Sequence, residues 1–171
     1  MNNNYKKILK WLVYMLVYMA FAVLQTNVLP YITLFGVHPN VLPLAAAMVS
    51  VLEGGVPGAL FGVFAGLCCD ALYPKFEVVH TIYFFASGLA IGNLVSALFK
   101  KSLYTAALCA VVSLAVLDFI LVTLFFLIPR RAGLDALIQV ALPEIILSAL
   151  FTPLVYWPLR GINVKWEKGE G

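Results

Sequence analysis

GALFGVFAGLCCDALYPK, residues 58–75, places glycine at every fourth position and carries no charge until Asp70. Residues four apart share a helix face, so Gly54, Gly58, Gly62, Gly66 and Asp70 form one stripe: bare backbone ending in a carboxylate. Helices in lipid gain no hydrophobic free energy by associating, and small residues that let backbones approach are their usual packing device. Gly88, Gly92 and Ser96 repeat the four-residue spacing in the next apolar run. The third and fourth helices are therefore expected to pack through Gly58, Gly62 and Gly66 on one side and Gly88 and Gly92 on the other.

The composition sets the solvent. Of 171 residues, 63% are hydrophobic and 11% charged, and the mean hydropathy is +1.00. A water-soluble domain carries about a quarter charged residues, so this chain uses lipid as its solvent and membrane lipid is its first partner. No basic run with interleaved aromatics is present, which excludes nucleic acid as a partner. Cys68, Cys69 and Cys109 lie in apolar runs and read as small buried hydrophobes. His38 and His80 sit in no ligand pattern, so no metal is expected. The basic start, residues 1–10, resembles the n-region of a secretory signal. The apolar run behind it continues to Leu29, too long for a cleaved signal, and reads as a retained first helix.

About 20 apolar residues cross a bilayer as a helix. Runs bounded by polar or Gly/Pro breaks give an all-α, polytopic, single-domain protein with six spans, at about 8–29, 40–53, 56–70, 78–99, 103–128 and 136–158. Tails at 1–7 and 159–171 flank them. Spans two and three are short and are separated by Glu53-Gly54-Gly55-Val56-Pro57; they read as two tilted helices or as a hairpin dipping in from one side. Lysine and arginine accumulate in cytoplasmic loops. With both tails cytoplasmic, Lys6, Lys7, Lys10, Lys100, Lys101, Arg160, Lys165 and Lys168 face inward, and Lys75, Arg130 and Arg131 outward, eight of the 11 cations against three.

The acidic residues are the candidates for chemistry. Asp70 falls at the outer end of span three, within reach of Lys75 or His80. A helix C-terminus is the wrong end for an anion, so something must compensate it. Asp118 and Glu144 lie roughly 12 to 15 Å below the outer surface at 1.5 Å per residue. Two carboxylates at that depth, with no cation at the same depth in any span, cannot both be comfortably ionised. Their candidate roles are a proton relay, an interhelical hydrogen bond or a contact with a partner's membrane helix. No GxSxG elbow, HExxH motif or Ser/His pair is present, so no catalytic residue and no cofactor are expected. The aromatics Trp11, Tyr31, Tyr73, Tyr104, Tyr156, Trp157 and Trp166 fall near expected span ends, as interfacial belts do.

Leu24-Gln25 near the end of the first helix, Leu29-Pro30, then Gly36-Val37-His38-Pro39-Asn40 leading into the second, and Gly62-x-x-x-Gly66-Leu67-x-x-Asp70, together resemble the rod shape-determining protein MreD family of bacteria. The similarity in length, tail charge and helix order extends over nearly the whole chain. After Asp70 the family tends to a glycine-containing link, where this chain has Lys75-Phe76-Glu77-Val78-Val79-His80. The resemblance implies a non-enzymatic, multi-pass inner-membrane scaffold of the cell-elongation machinery. It would work beside a single-span MreC-like protein, the MreB cytoskeleton and peptidoglycan synthases, with Gln25, Pro39, Asn40 and Asp70 as motif or partner-contact residues. It also implies a six-helix bundle similar to the substrate-binding component of energy-coupling factor vitamin transporters. A vitamin-binding subunit of that kind is the alternative function; it requires several convergent polar side chains in an enclosed pocket, for which Gln25, Asn27, Asp118 and Glu144 are the few available.

Overall fold

A computed structural model of the chain describes residues 3–33, 36–73, 78–124 and 141–167. Among the described residues there are six helices, α1 (Asn3–Asn27), α2 (Val41–Glu53), α3 (Gly55–Leu72), α4 (Val79–Leu98), α5 (Leu103–Val122) and α6 (Leu142–Glu167), with a 3-10 turn at Leu29–Tyr31. Five of them are long and apolar enough to cross a membrane; α2 is not. Its 13 residues extend only about 20 Å at 1.5 Å per residue, against about 30 Å of hydrocarbon. The second expected span, at about 40–53 and already short in the sequence, is present as this helix. The end of the fifth expected span beyond residue 124, the break at 129–133, the start of the sixth at 136, and Lys75, Arg130, Arg131 and Lys168 lie outside the described residues. Helix α6 continues to Glu167, past residue 158 where its span was expected to end, and accommodates Pro153 and Pro158 within it.

The shortness of α2 explains its place. A helix end inside a membrane exposes backbone groups that lipid cannot satisfy, so it is tolerated only where protein surrounds it. Every residue from Val41 to Leu52 is buried, and α2 touches α1, α3, α4, α5 and α6. Its alanines, Ala45, Ala46 and Ala47, are nearly inaccessible, which lets five neighbours close around it. Along α1 and α3 a second packing layer is aromatic: Tyr18 meets Phe61 edge-on at 5.6 Å, and Tyr14 meets the same ring at 6.2 Å.

Polar contacts fix the direction of each helix. Lys10 near the start of α1 reaches Glu53 at the end of α2, Asn163 near the end of α6 reaches the same carboxylate, and Lys101 on the α4–α5 turn reaches the Leu52 carbonyl. These groups define a lower end. At the upper end, Gln25 meets Pro39 and Val41, Asn40 meets Ser148 and Asp70 meets Thr81. Successive helices thus alternate in direction, and the start of α1 and the end of α6 lie at the same end of the bundle. Lys6, Lys7, Lys10 and Trp166 line one small hollow there.

Tyr156 departs from the belt expected of it: the side chain is fully buried against the core, because Tyr156 and Trp157 are adjacent on α6 and point to different sides, Trp157 taking the exposed one.

Candidate functional site

The α3–α4 interface is built from glycine. A Cβ on Gly62 would run into the Phe84 carbonyl, one on Gly66 into the Thr81 backbone, and one on Gly92 into the backbone of Gly54 and Gly55. A Cβ on Gly88 would come within 2.9 Å of the Gly58 carbonyl oxygen and 3.0 Å of Ala59. Gly58 itself faces α2, with Ser50 Cα 2.6 Å from where its Cβ would stand. The stripe therefore serves two neighbours. Gly54, alone between α2 and α3, has φ +98°, a left-handed region that side chains disfavour, so the chain reverses there in one residue.

This close approach positions Asp70. Three turns above Gly58, its carboxylate lands over the first turn of α4, whose amides have no intrahelical acceptor. It accepts from the His80 amide (3.1 Å), the Thr81 amide (3.0 Å) and the Thr81 hydroxyl (2.6 Å), and lies 2.9 Å from His80 Nδ1. An aspartate of one helix thus caps the next. The positive end of α4 supplies the compensation that the end of α3 denies it. The His80 and Asp70 side chains are nearly sealed from solvent, at 5% and 8% exposure.

Gln25 does the same for α2. Asn40 stands at the N-cap without a side-chain capping bond; instead Gln25 Oε1 accepts the Val41 amide at 2.9 Å while its Nε2 donates to the Pro39 carbonyl at 3.0 Å. Ser148 Oγ of α6 accepts the Asn40 amide at 2.8 Å. Tyr73, just past the end of α3, stands beside Gln25, and burial pushes its hydroxyl above the ordinary tyrosine range.

Beside the Gln25 cap lies a tier of polar groups. Asp118 of α5 and Glu144 of α6 are within electrostatic reach of each other, and Glu144 also meets the Asn40 side chain and His38. Asp118 is 6% exposed. Its Oδ2 and the Nδ1 of His38 have no hydrogen-bond partner among the described residues. Gln25, Pro39, Asn40, Asp118 and Glu144 are therefore gathered at one level, and Asp70 sits apart on the α3–α4 side. No grouping among the described residues has the geometry of a metal site. The assembly offers acceptors to a donor arriving at the upper end.

In the sequence Glu53 reads only as part of a break. It is the hub of the lower end: Lys10 Nζ donates to Oε2 at 2.7 Å, and Tyr14 OH and Asn163 Nδ2 donate to Oε1 at 2.7 and 2.9 Å. The signal available was Lys10 and Tyr14 four apart, on one face of α1.

A sequence model of the family described as rod shape-determining protein MreD matches residues 5–162. No curated protein and no solved structure matches. The match covers nearly the whole chain, and the chain belongs to the MreD family.

Proposed function

We propose that this member of the MreD family, a multi-pass membrane protein of rod shape determination, is a non-enzymatic scaffold of the bacterial inner membrane. It would hold a single-span MreC-like protein, the MreB cytoskeleton and peptidoglycan synthases in register during elongation. The observation that carries this reading is the use made of its polar side chains. Gln25, Asp70 and Glu53 each bind a neighbouring helix end, so they build a rigid body and leave few groups to converge on a small ligand. Rigidity of that kind suits a platform.

The Asp118, Glu144, His38 and Asn40 tier supplies a polar contact at the upper end for a partner. Lys6, Lys7, Lys10, Lys101 and Arg160 belong to the lower-end elements, which favours a cytoplasmic lower end and periplasmic access to the tier. A vitamin-binding transporter subunit would require an enclosed polar pocket, and the cavity of about 510 Å³ between α4 and α5 is lined chiefly by apolar side chains.

The test replaces the resident family member of a rod-shaped bacterium with this chain, carrying an affinity tag. Rod shape should be restored and elongation proteins should be recovered with it from detergent. Recovery of an energy-coupling ATPase pair without them would overturn the proposal.

A further inference from the structure

Helices α4 and α5 are consecutive, yet they hold each other closely at one level, where the Tyr83 hydroxyl donates to the Ser113 carbonyl at 2.6 Å. Beside and below it they flank an open, apolar groove of about 510 Å³. Its sides carry small residues, Ala86 and Ala90 on α4 and Cys109 on α5, and its lower mouth is flanked by Phe99 and Tyr104. In lipid such a space is filled, and its length says by what. From Tyr104 to Val116 the groove follows α5 for about 18 Å at 1.5 Å per residue. That exceeds one leaflet and stops short of the roughly 30 Å a crossing helix must cover. A chain entering from the lower surface and ending inside the bilayer fits; a partner's membrane helix does not.

The mouth is cationic. Lys100, next to Phe99 on the α4–α5 turn, is exposed. Lys101 beside it is held at the same level by donating to the Leu52 carbonyl at 2.6 Å, a bond that uses one of its three hydrogens. Glu53, next to Leu52, is taken up by Lys10, Tyr14 and Asn163. We propose that the α4–α5 groove is an anionic phospholipid site, one acyl chain lying between Ala90 and Cys109 and the phosphate at Lys100.

The full chain, purified in mild detergent, is equilibrated with equal phosphatidylglycerol and phosphatidylcholine, and retained lipid is counted by native mass spectrometry. One phosphatidylglycerol per chain should survive, preferred by about fivefold, the discrimination that one lysine near an anionic surface supplies. Lys100→Gln, an exposed change that leaves the helices intact, should abolish the preference. Ala90→Phe should cut retention of both lipids, with Ala86→Leu the milder filling if that variant does not fold. Excess soluble glycerol phosphate should displace nothing. Equal retention of the two lipids, an undiminished preference in Lys100→Gln, displacement by glycerol phosphate, or a lipid-free dimer would each overturn the assignment.

Discussion

The carboxylate of Asp70 on α3 accepts both the amide, at 3.0 Å, and the hydroxyl, at 2.6 Å, of Thr81 in the first turn of α4. One residue thus joins two helices and satisfies donors that lipid would leave bare. Asp70→Ala is expected to lower unfolding stability by about 2 kcal/mol, the range of a lost charged cap. Asp70→Asn, which keeps one acceptor, should lose about half as much. Denaturant titration of the purified chain in micelles measures both.

Glu53 gathers Lys10, Tyr14 and Asn163. Glu53→Ala removes the carboxylate that three donors share and should cost about 2 to 3 kcal/mol, somewhat below a fully buried pair because Lys10 keeps contact with solvent. The double change Lys10→Met, Glu53→Gln should cost clearly less than Glu53→Ala, since glutamine still accepts from Tyr14 and Asn163. An equal loss in the two variants would show that the Tyr14 and Asn163 bonds contribute nothing to stability.

Two glycines make an internal control. Gly62 faces the Phe84 backbone, whereas Gly161 has open space around it. Gly62→Ala should destabilise by about 1 to 3 kcal/mol through overpacking. Gly161→Ala, in an exposed turn of α6, should be neutral or stabilise by up to about 1 kcal/mol through helix propensity. The same unfolding titration ranks them.

Gln25→Met preserves length and removes both the donor to Pro39 and the acceptor for Val41. The expected loss is about 1 to 2 kcal/mol. Its location is more telling than its size: hydrogen exchange should quicken at the Val41 amide and remain slow in the middle of α4.

Because the start of α1 and the end of α6 share the lower end, reporter fusions at the two chain ends should report the same side of the membrane. Opposite sides would contradict the alternation of the six helices, and with it the cytoplasmic placement of the lower end.

Glu53 shows where sequence reading stops. Its partners stand 43 and 39 residues before it and 110 after it, and no local pattern marks a pairing over such separations. Asp70 is a nearer case: the misfit of an anion at a helix C-terminus is legible because the dipole is a local property. What resolves that misfit, the start of α4, is a neighbour that only the folded chain supplies. Lys101 is nearer still to illegible, since a loop lysine read by topology turns out to hold the end of α2.

Composition and periodicity by themselves determined that the chain lives in lipid, that it is built of helices, and that glycine forms a stripe leading to Asp70. Those follow from transfer free energy and from 3.6 residues per turn, and both act within a segment. The tertiary structure alone decided that the short α2 lies at the centre, that Gly58 turns to Ser50 while Gly62 turns to Phe84, that Gln25 and Asp70 cap the starts of other helices, and that Glu53 gathers side chains of α1 and α6. A backbone group inside a membrane takes whichever partner the packed neighbours bring to it, and that choice is made between segments.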